Sequence, residues 1–170
     1  RANKFWVRVE DPKHAEMFDE SLKALERKEP ISIVQRHSID ELREASVLYH
    51  PGPDIGPHAL RRTLFGDDAW SLCGITHTTA SAHIMDSIAQ LITAPLQPWD
   101  SVICTSNAVK SNVNKVLQSQ VEYFKARFKS TNFSLRFPVF FSTTMVFYSS
   151  TIPFVLYNLL ILIERSDGAP

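Results

Sequence analysis

Three short apolar runs, Ser46 to Tyr49, Trp70 to Ile75 and Ser101 to Cys104, each give way to small or polar residues, and stretches with helical apolar spacing follow the second and third. Runs this short fall below the length of a core helix and fit strands buried on both faces, which need not alternate. Short apolar strands alternating with amphipathic helices predict an α/β fold: a parallel sheet built from right-handed crossovers, with helices on both faces and these three runs as neighbouring central strands. A chain of 170 residues that is 44% hydrophobic has enough apolar material for such a core.

The helices carry their own local signals. Asp11 before Pro12 opens one, because the carboxylate accepts free amide hydrogens and proline is tolerated in the first turn. Met17, Phe18, Leu22 and Leu25 continue it to about Arg27, and the KEP sequence at 28–30 stops it. Ile31 to Val34 then reads as a short strand, and Ile39 to Glu44 as a brief helix opened by Ser38. The segment HPGPDIGP at 50–57 holds three prolines and two glycines, so it is a loop. His58 to Phe65 reads as a short helix, and GDDAW turns the chain into the second apolar run. Ser81 or Thr79 caps a helix with an apolar stripe at Ile84, Met85, Ile88, Leu91 and Ile92. After the breaker APLQPWD and the third run, Ser106 or Asn107 caps a long helix. Its buried side is marked by Val109, Val113, Val116, Leu117, Val121 and Phe124, and Lys110, Lys115, Lys125 and Arg127 stay solvated.

Charge divides the chain in two, since residues 1–130 hold 32 of the 36 charged side chains and 27 uncharged residues run from Phe137 to Ile163. The expected organisation is one domain over residues 1–130 and an apolar tail over 131–170. The 18 basic and 18 acidic residues balance, without a basic cluster, which excludes nucleic acid as an expected partner. Cys73 and Cys104 lie apart in apolar surroundings and read as small buried thiols. The opening RANKFWVRVEDPKH has no signal-peptide core, and a cytoplasmic location is expected. A reading from another class is a membrane-associated protein, anchored by the tail or held at a membrane surface. Pro138, Pro153, Asn158 and the Ser/Thr cluster at 142–151 weaken that hydrophobic run.

In an open parallel sheet, ligands gather outside the carboxyl ends of the strands. This rule selects the loops His50 to Gly56, Thr76 to Ser81 and Thr105 to Asn107, so His50, Asp54, His77, Thr78, Thr79 and Ser106 share one rim. His77 is the candidate for proton transfer or for donating to a sugar hydroxyl or phosphate, against the plain alternative of a histidine bonded to the next loop. Asp54, Thr78, Thr79 and Ser106 are candidate ligand contacts, with an Asx-type turn or helix capping as their structural alternatives. There is no G-x-G-x-x-G, G-x-x-x-x-G-K-[ST] or G-x-S-x-G motif, so no bound cofactor is expected. The histidine spacings of six and eight residues do not suit a helical metal site, and no metal is expected.

The segments SVLYHPGPDIGPHALRR and AWSLCGITHTTASAHIMDSIAQLITAPLQPWDSVICTSNAVKSNV resemble the amino-terminal domain of retaining glycosyltransferases of family 4, group 1. The resemblance covers about residues 45–125. Its most specific pieces are GITHT at Gly74 to Thr78 and PWDSVICTSNAVKSNV at Pro98 to Val113. It implies a Rossmann-like domain forming the amino-terminal half of a GT-B fold, in which two such domains face each other across a cleft. The carboxyl-terminal domain then holds the nucleotide-sugar donor, and this domain mainly receives the acceptor. It also implies that His77 lies beside the donor sugar and supports the transition state. On this reading the glycine-rich loop of the domain falls before Arg1 and the carboxyl-terminal domain is missing, so the chain alone is expected to be inactive. The tail does not resemble the family's linker, and a frameshifted or prematurely ended reading frame is one expectation for it. A non-catalytic remnant that binds without turnover is the remaining alternative.

Overall fold

A computed structural model describes residues 4–9, 11–34 and 40–129, and adds the strand backbones at 139–141 and 160–163. The chain forms β1 (Phe5–Arg8), α1 (Pro12–Ala24), β2 (Ile31–Val34), α2 (Asp40–Ala45), β3 (Val47–His50) and α3 (Gly56–Arg62). It continues with β4 (Ser71–Thr76), α4 (Ala82–Gln90), β5 (Ser101–Cys104), α5 (Asn107–Phe128), β6 (Val139–Phe141) and β7 (Leu160–Ile163). These strands make one seven-stranded sheet in the order β2-β1-β7-β3-β4-β5-β6. β3, β4, β5 and β6 are parallel neighbours, as are β1 and β2. The expected α/β class and the adjacency of the three central apolar runs are therefore observed.

Side-chain alternation assigns the two faces. Val7 packs with Phe18 and Leu22 of α1, joined by Phe5, Val9 and Ile31. Trp6, one residue away, points into the larger cluster, where Leu48, Leu72 and Val102 of the sheet meet Leu42, Ala59, Ile88, Leu91, Val113 and Leu117 of the helices. Alternate strand residues face opposite sides of a sheet, so α1 covers one face and α2 to α5 contribute to the core on the other. Strand order reverses between β1 and β3, which is the switch point of a doubly wound Rossmann-like sheet.

Three features differ from the sequence reading. Phe5–Arg8 is a strand, paired with both β2 and β7, although Trp6 and Val7 are buried side by side and four residues give a period-2 pattern almost no length to show itself. β7 is antiparallel to both β1 and β3 and sits at the switch point, so the sheet extends beyond residue 130. The second apolar run starts its strand at Ser71 rather than Trp70, whose buried indole packs in the core 5.9 Å from the Phe65 ring. Ser38 and most of the apolar tail lie outside the described residues. Among the described residues no helix is long and apolar enough to cross a membrane.

Capping follows the local chemistry. Asp11 accepts from Lys13 N at the start of α1, Ser81 from Ile84 N at α4, and Ser106 from Val109 N at α5. α1 ends at Ala24, three residues before the expected stop, and Glu26 beyond it adopts φ of 54°.

A buried fork fixes the entry to the central strands. Arg62 and Asp100 are both fully buried and meet through two hydrogen bonds, Nη1 to Oδ1 at 2.6 Å and Nη2 to Oδ2 at 2.7 Å. Arg62 also donates to the Trp70 carbonyl, and Asp100 accepts from Leu72 N and Gln97 N. One ion pair thus ties the end of α3, the start of β4 and the loop before β5.

Candidate functional site

β3 ends at His50, and the chain then turns sharply through Pro51, Gly52 and Pro53. Both prolines are buried, so this loop packs onto the sheet instead of standing off it. It lies across β4: Ile75 N donates to the Gly52 carbonyl at 3.1 Å, carrying the β3–β4 pairing one step past His50. Gly74 makes that approach possible. A Cβ at Gly74 would stand 2.8 Å from the Gly52 carbonyl oxygen and 2.8 Å from Ile55 Cγ2. Gly74→Ala should therefore lower stability by about 2 kcal/mol, since backbone on one side and a buried side chain on the other leave little room to yield. Chemical denaturation of the two proteins measures it, and an unchanged midpoint would contradict the packing described.

The loop and the end of β4 enclose a cleft of about 200 Å³, lined by His50, Asp54, Ile75, His77, Thr78 and His83 among others. It opens at the carboxyl ends of β3 and β4, beside the reversal of strand order, where open α/β sheets hold their ligands. His50 Nε2 lies 2.9 Å from Asp54 Oδ1, with the two side chains 19% and 43% exposed. That bond is the main reason the Asp54 carboxyl sits below the usual carboxylate range, with burial opposing it and electrostatic attraction to the His50 ring adding to it. The His58 ring packs against His50 in a tilted contact, its centroid 4.8 Å away and the ring planes 49° apart.

Three of the five candidate site residues, Asp54, His77 and Thr78, line the cleft. Thr78 also accepts from Ala80 N, so its hydroxyl helps shape the turn. Thr79 and Ser106 are on the adjacent loops but engaged elsewhere: Thr79 accepts from Asn112 Nδ2, joining the α4 entry to α5, and Ser106 caps α5. Thr105 closes the same edge by donating its amide and hydroxyl to the Thr76 carbonyl. His77 makes no hydrogen bond to another described residue, and partial burial holds its imidazole below the ordinary value. It is therefore a neutral ring at the cleft around pH 7, able to donate or accept.

Sequence reasoning placed His50 on the rim but missed its bond to Asp54. The signal was a glycine between two prolines, which leaves space for a side chain to fold back. It also missed His83, brought to the cleft by the first turn of α4. Among the described residues no group of three or more His, Cys, Asp or Glu side chains is placed to hold a metal ion. Cys73 and Cys104 are free thiols, Cys104 buried, and burial raises both thiols above their ordinary value.

His58 gives the fold a pH dependence. Burial pushes its imidazole down to about 4, helped by His50, Arg8 and Arg61 and opposed by Asp54. When unfolded it takes a proton near pH 6.5, so the native state binds fewer protons in between and loses stability as pH falls. The loss should begin near pH 6.5 and reach roughly 2 to 3 kcal/mol by about pH 4. The lowered Asp54 carboxyl acts with the same sign, its contribution being lost further down the acid range. Urea denaturation at about pH 7 and about pH 4.5, on wild type and His58→Gln, checks this, because the variant should lose less stability between the two. Equal losses would show that His58 is not the source.

Comparison of the chain with protein-family models, with curated proteins and with solved structures finds no match.

Proposed function

We propose that this chain is the acceptor-side domain of a retaining glycosyltransferase, working in transfer of a sugar from a nucleotide-sugar donor. The observation that carries the reading is His77, a neutral imidazole just past the carboxyl end of β4, lining the same cleft as Asp54 beside the switch point. All of these residues fall within the stretch, about 45–125, that resembles the glycosyltransferase domain.

Transfer from a nucleotide-sugar needs charge neutralisation of the departing diphosphate. Among the described residues no Lys or Arg lines the cleft, and on this reading those groups are supplied by a second, nucleotide-gripping domain. Positioning by this domain without them gives little rate. The test is nucleotide release from a panel of sugar nucleotides, measured for the chain alone and for the chain joined to the carboxyl-terminal domain of a retaining glycosyltransferase. The expected result is turnover only by the joined protein. Turnover by the chain alone would overturn the division of labour, and silence from every joined protein would count against sugar transfer.

A further inference from the structure

Resting on the sugar-transfer reading, we propose that the cleft takes an uncharged, hydroxyl-rich group of a sugar or polyol acceptor and rejects a phosphorylated one, with His50 as the positioning residue that fixes Asp54 as its hydrogen-bond acceptor.

The charge of the lining decides the ligand class. Among the described residues that line it, Asp54 is the one carboxylate and the other titratable side chains are the imidazoles of His50, His77 and His83. Phosphate groups are held by Arg, Lys or free helix-end amides. Among the described residues the lining offers neither cation, and the first turn of α4, which brings His83 to the cleft, has one of its end amides, that of Ile84, taken by the Ser81 hydroxyl. A phosphate seated here would face the Asp54 carboxylate in a partly desolvated space, with no Lys or Arg among the described lining residues to hold it, which is repulsive. A hydroxyl group meets the opposite situation. It donates to the carboxylate and accepts from a neutral imidazole, and a carboxylate with one bond to His50 keeps lone pairs for such donors.

The His50–Asp54 bond is built into the loop. The two residues are separated by Pro-Gly-Pro, whose prolines restrict the backbone on either side of Gly52. A Cβ at Gly52 would collide with Asp54 Oδ1 and stand 3.1 Å from His50 Nε2, so the glycine vacates the space the bond occupies. His50 Nδ1 is buried and has no hydrogen-bond partner among the described residues, which leaves Nε2 as the nitrogen that orients the ring. His58 packs obliquely on the ring and braces it. Asp54, 43% exposed, is therefore a carboxylate held in place before any ligand arrives.

The test uses the full chain and follows the His77 ring proton by NMR during titration with glucose and myo-inositol, and with glucose 6-phosphate as the charged counterpart. The neutral probes should bind at least about tenfold more tightly than the phosphate, the size expected for one charge-assisted hydrogen bond gained against one repulsion. Asp54→Ala should weaken the neutral probes and improve the phosphate, an opposite pair of shifts that general loss of structure does not produce. His50→Ala should weaken neutral binding and let the Asp54 carboxyl titrate nearer its ordinary value by carbon NMR. His50→Gln, which returns a donor nitrogen close to Nε2, should restore both. Tighter or equal binding of the phosphate, binding of no probe at His77, or an Asp54 titration indifferent to His50→Ala would overturn the assignment. Neutral probes that bind as described while no joined protein turns over sugar nucleotide would support it and count against sugar transfer alone.

Discussion

Replacing Asp100 by alanine should destabilise the protein by about 3 to 5 kcal/mol, the usual cost of breaking a buried ion pair from one side. The carboxylate is fully buried and serves four donors: two Arg62 nitrogens, Leu72 N and Gln97 N. Its loss leaves a guanidinium in the core with, among the described residues, only the Trp70 and Pro95 carbonyls as partners, and strips two backbone amides of their acceptor. Arg62→Ala should be nearly as damaging, because the carboxylate is then buried without its counter-charge. The double variant should cost clearly less than the sum, since each single change already forfeits the pair. Since the margin of a domain this size is about 5 to 15 kcal/mol, either single variant should melt far below wild type. A circular-dichroism melt measures it, and an Asp100→Ala protein within about 1 kcal/mol of wild type would show that the fork is not what closes this corner.

Asp100 also illustrates what a sequence reveals and what it hides. The stretch PWDSVIC carries a recognisable strand signal in its apolar residues, and β5 is found where that signal puts it. The role of the aspartate just ahead of it was not legible, because its partner is 38 positions away and no local pattern couples them. Caps behave differently: Asp11, Ser81 and Ser106 were readable since the acceptor and its amide lie two or three residues apart. The polarity of β7 is another tertiary fact. Leu160–Ile163 is apolar enough for any central strand, yet its direction depends on how the chain returns to the gap between β1 and β3. At the cleft, the rule that ligands gather at strand ends brought Asp54, His77 and Thr78 to one place. It did not foresee that Thr79 and Ser106 would be taken up by neighbouring helices. Nor did it foresee the His50–Asp54 bond, which depends on a loop folding back over Gly52.

The second large effect concerns His77. The residue is exposed and its ring makes no hydrogen bond to another described residue, so removing the ring should leave the fold's stability within about 0.5 kcal/mol. On the proposed sugar-transfer reading, its position at the end of β4, in the cleft that Asp54 also lines, would put a neutral donor where charge develops on a transferred sugar. Loss of one such preorganised donor typically lowers kcat by about 10² to 10³. A residue acting in this way should depress kcat more than it raises KM, because the contact strengthens as the reaction proceeds. The most direct measurement is kcat/KM for sugar transfer by the chain joined to a nucleotide-gripping domain, compared between wild type and His77→Ala with melting temperatures recorded alongside. A fall of about a hundredfold or more at unchanged melting temperature is the expected result. A joined enzyme that works equally well without the imidazole would contradict the assignment of this cleft to sugar transfer.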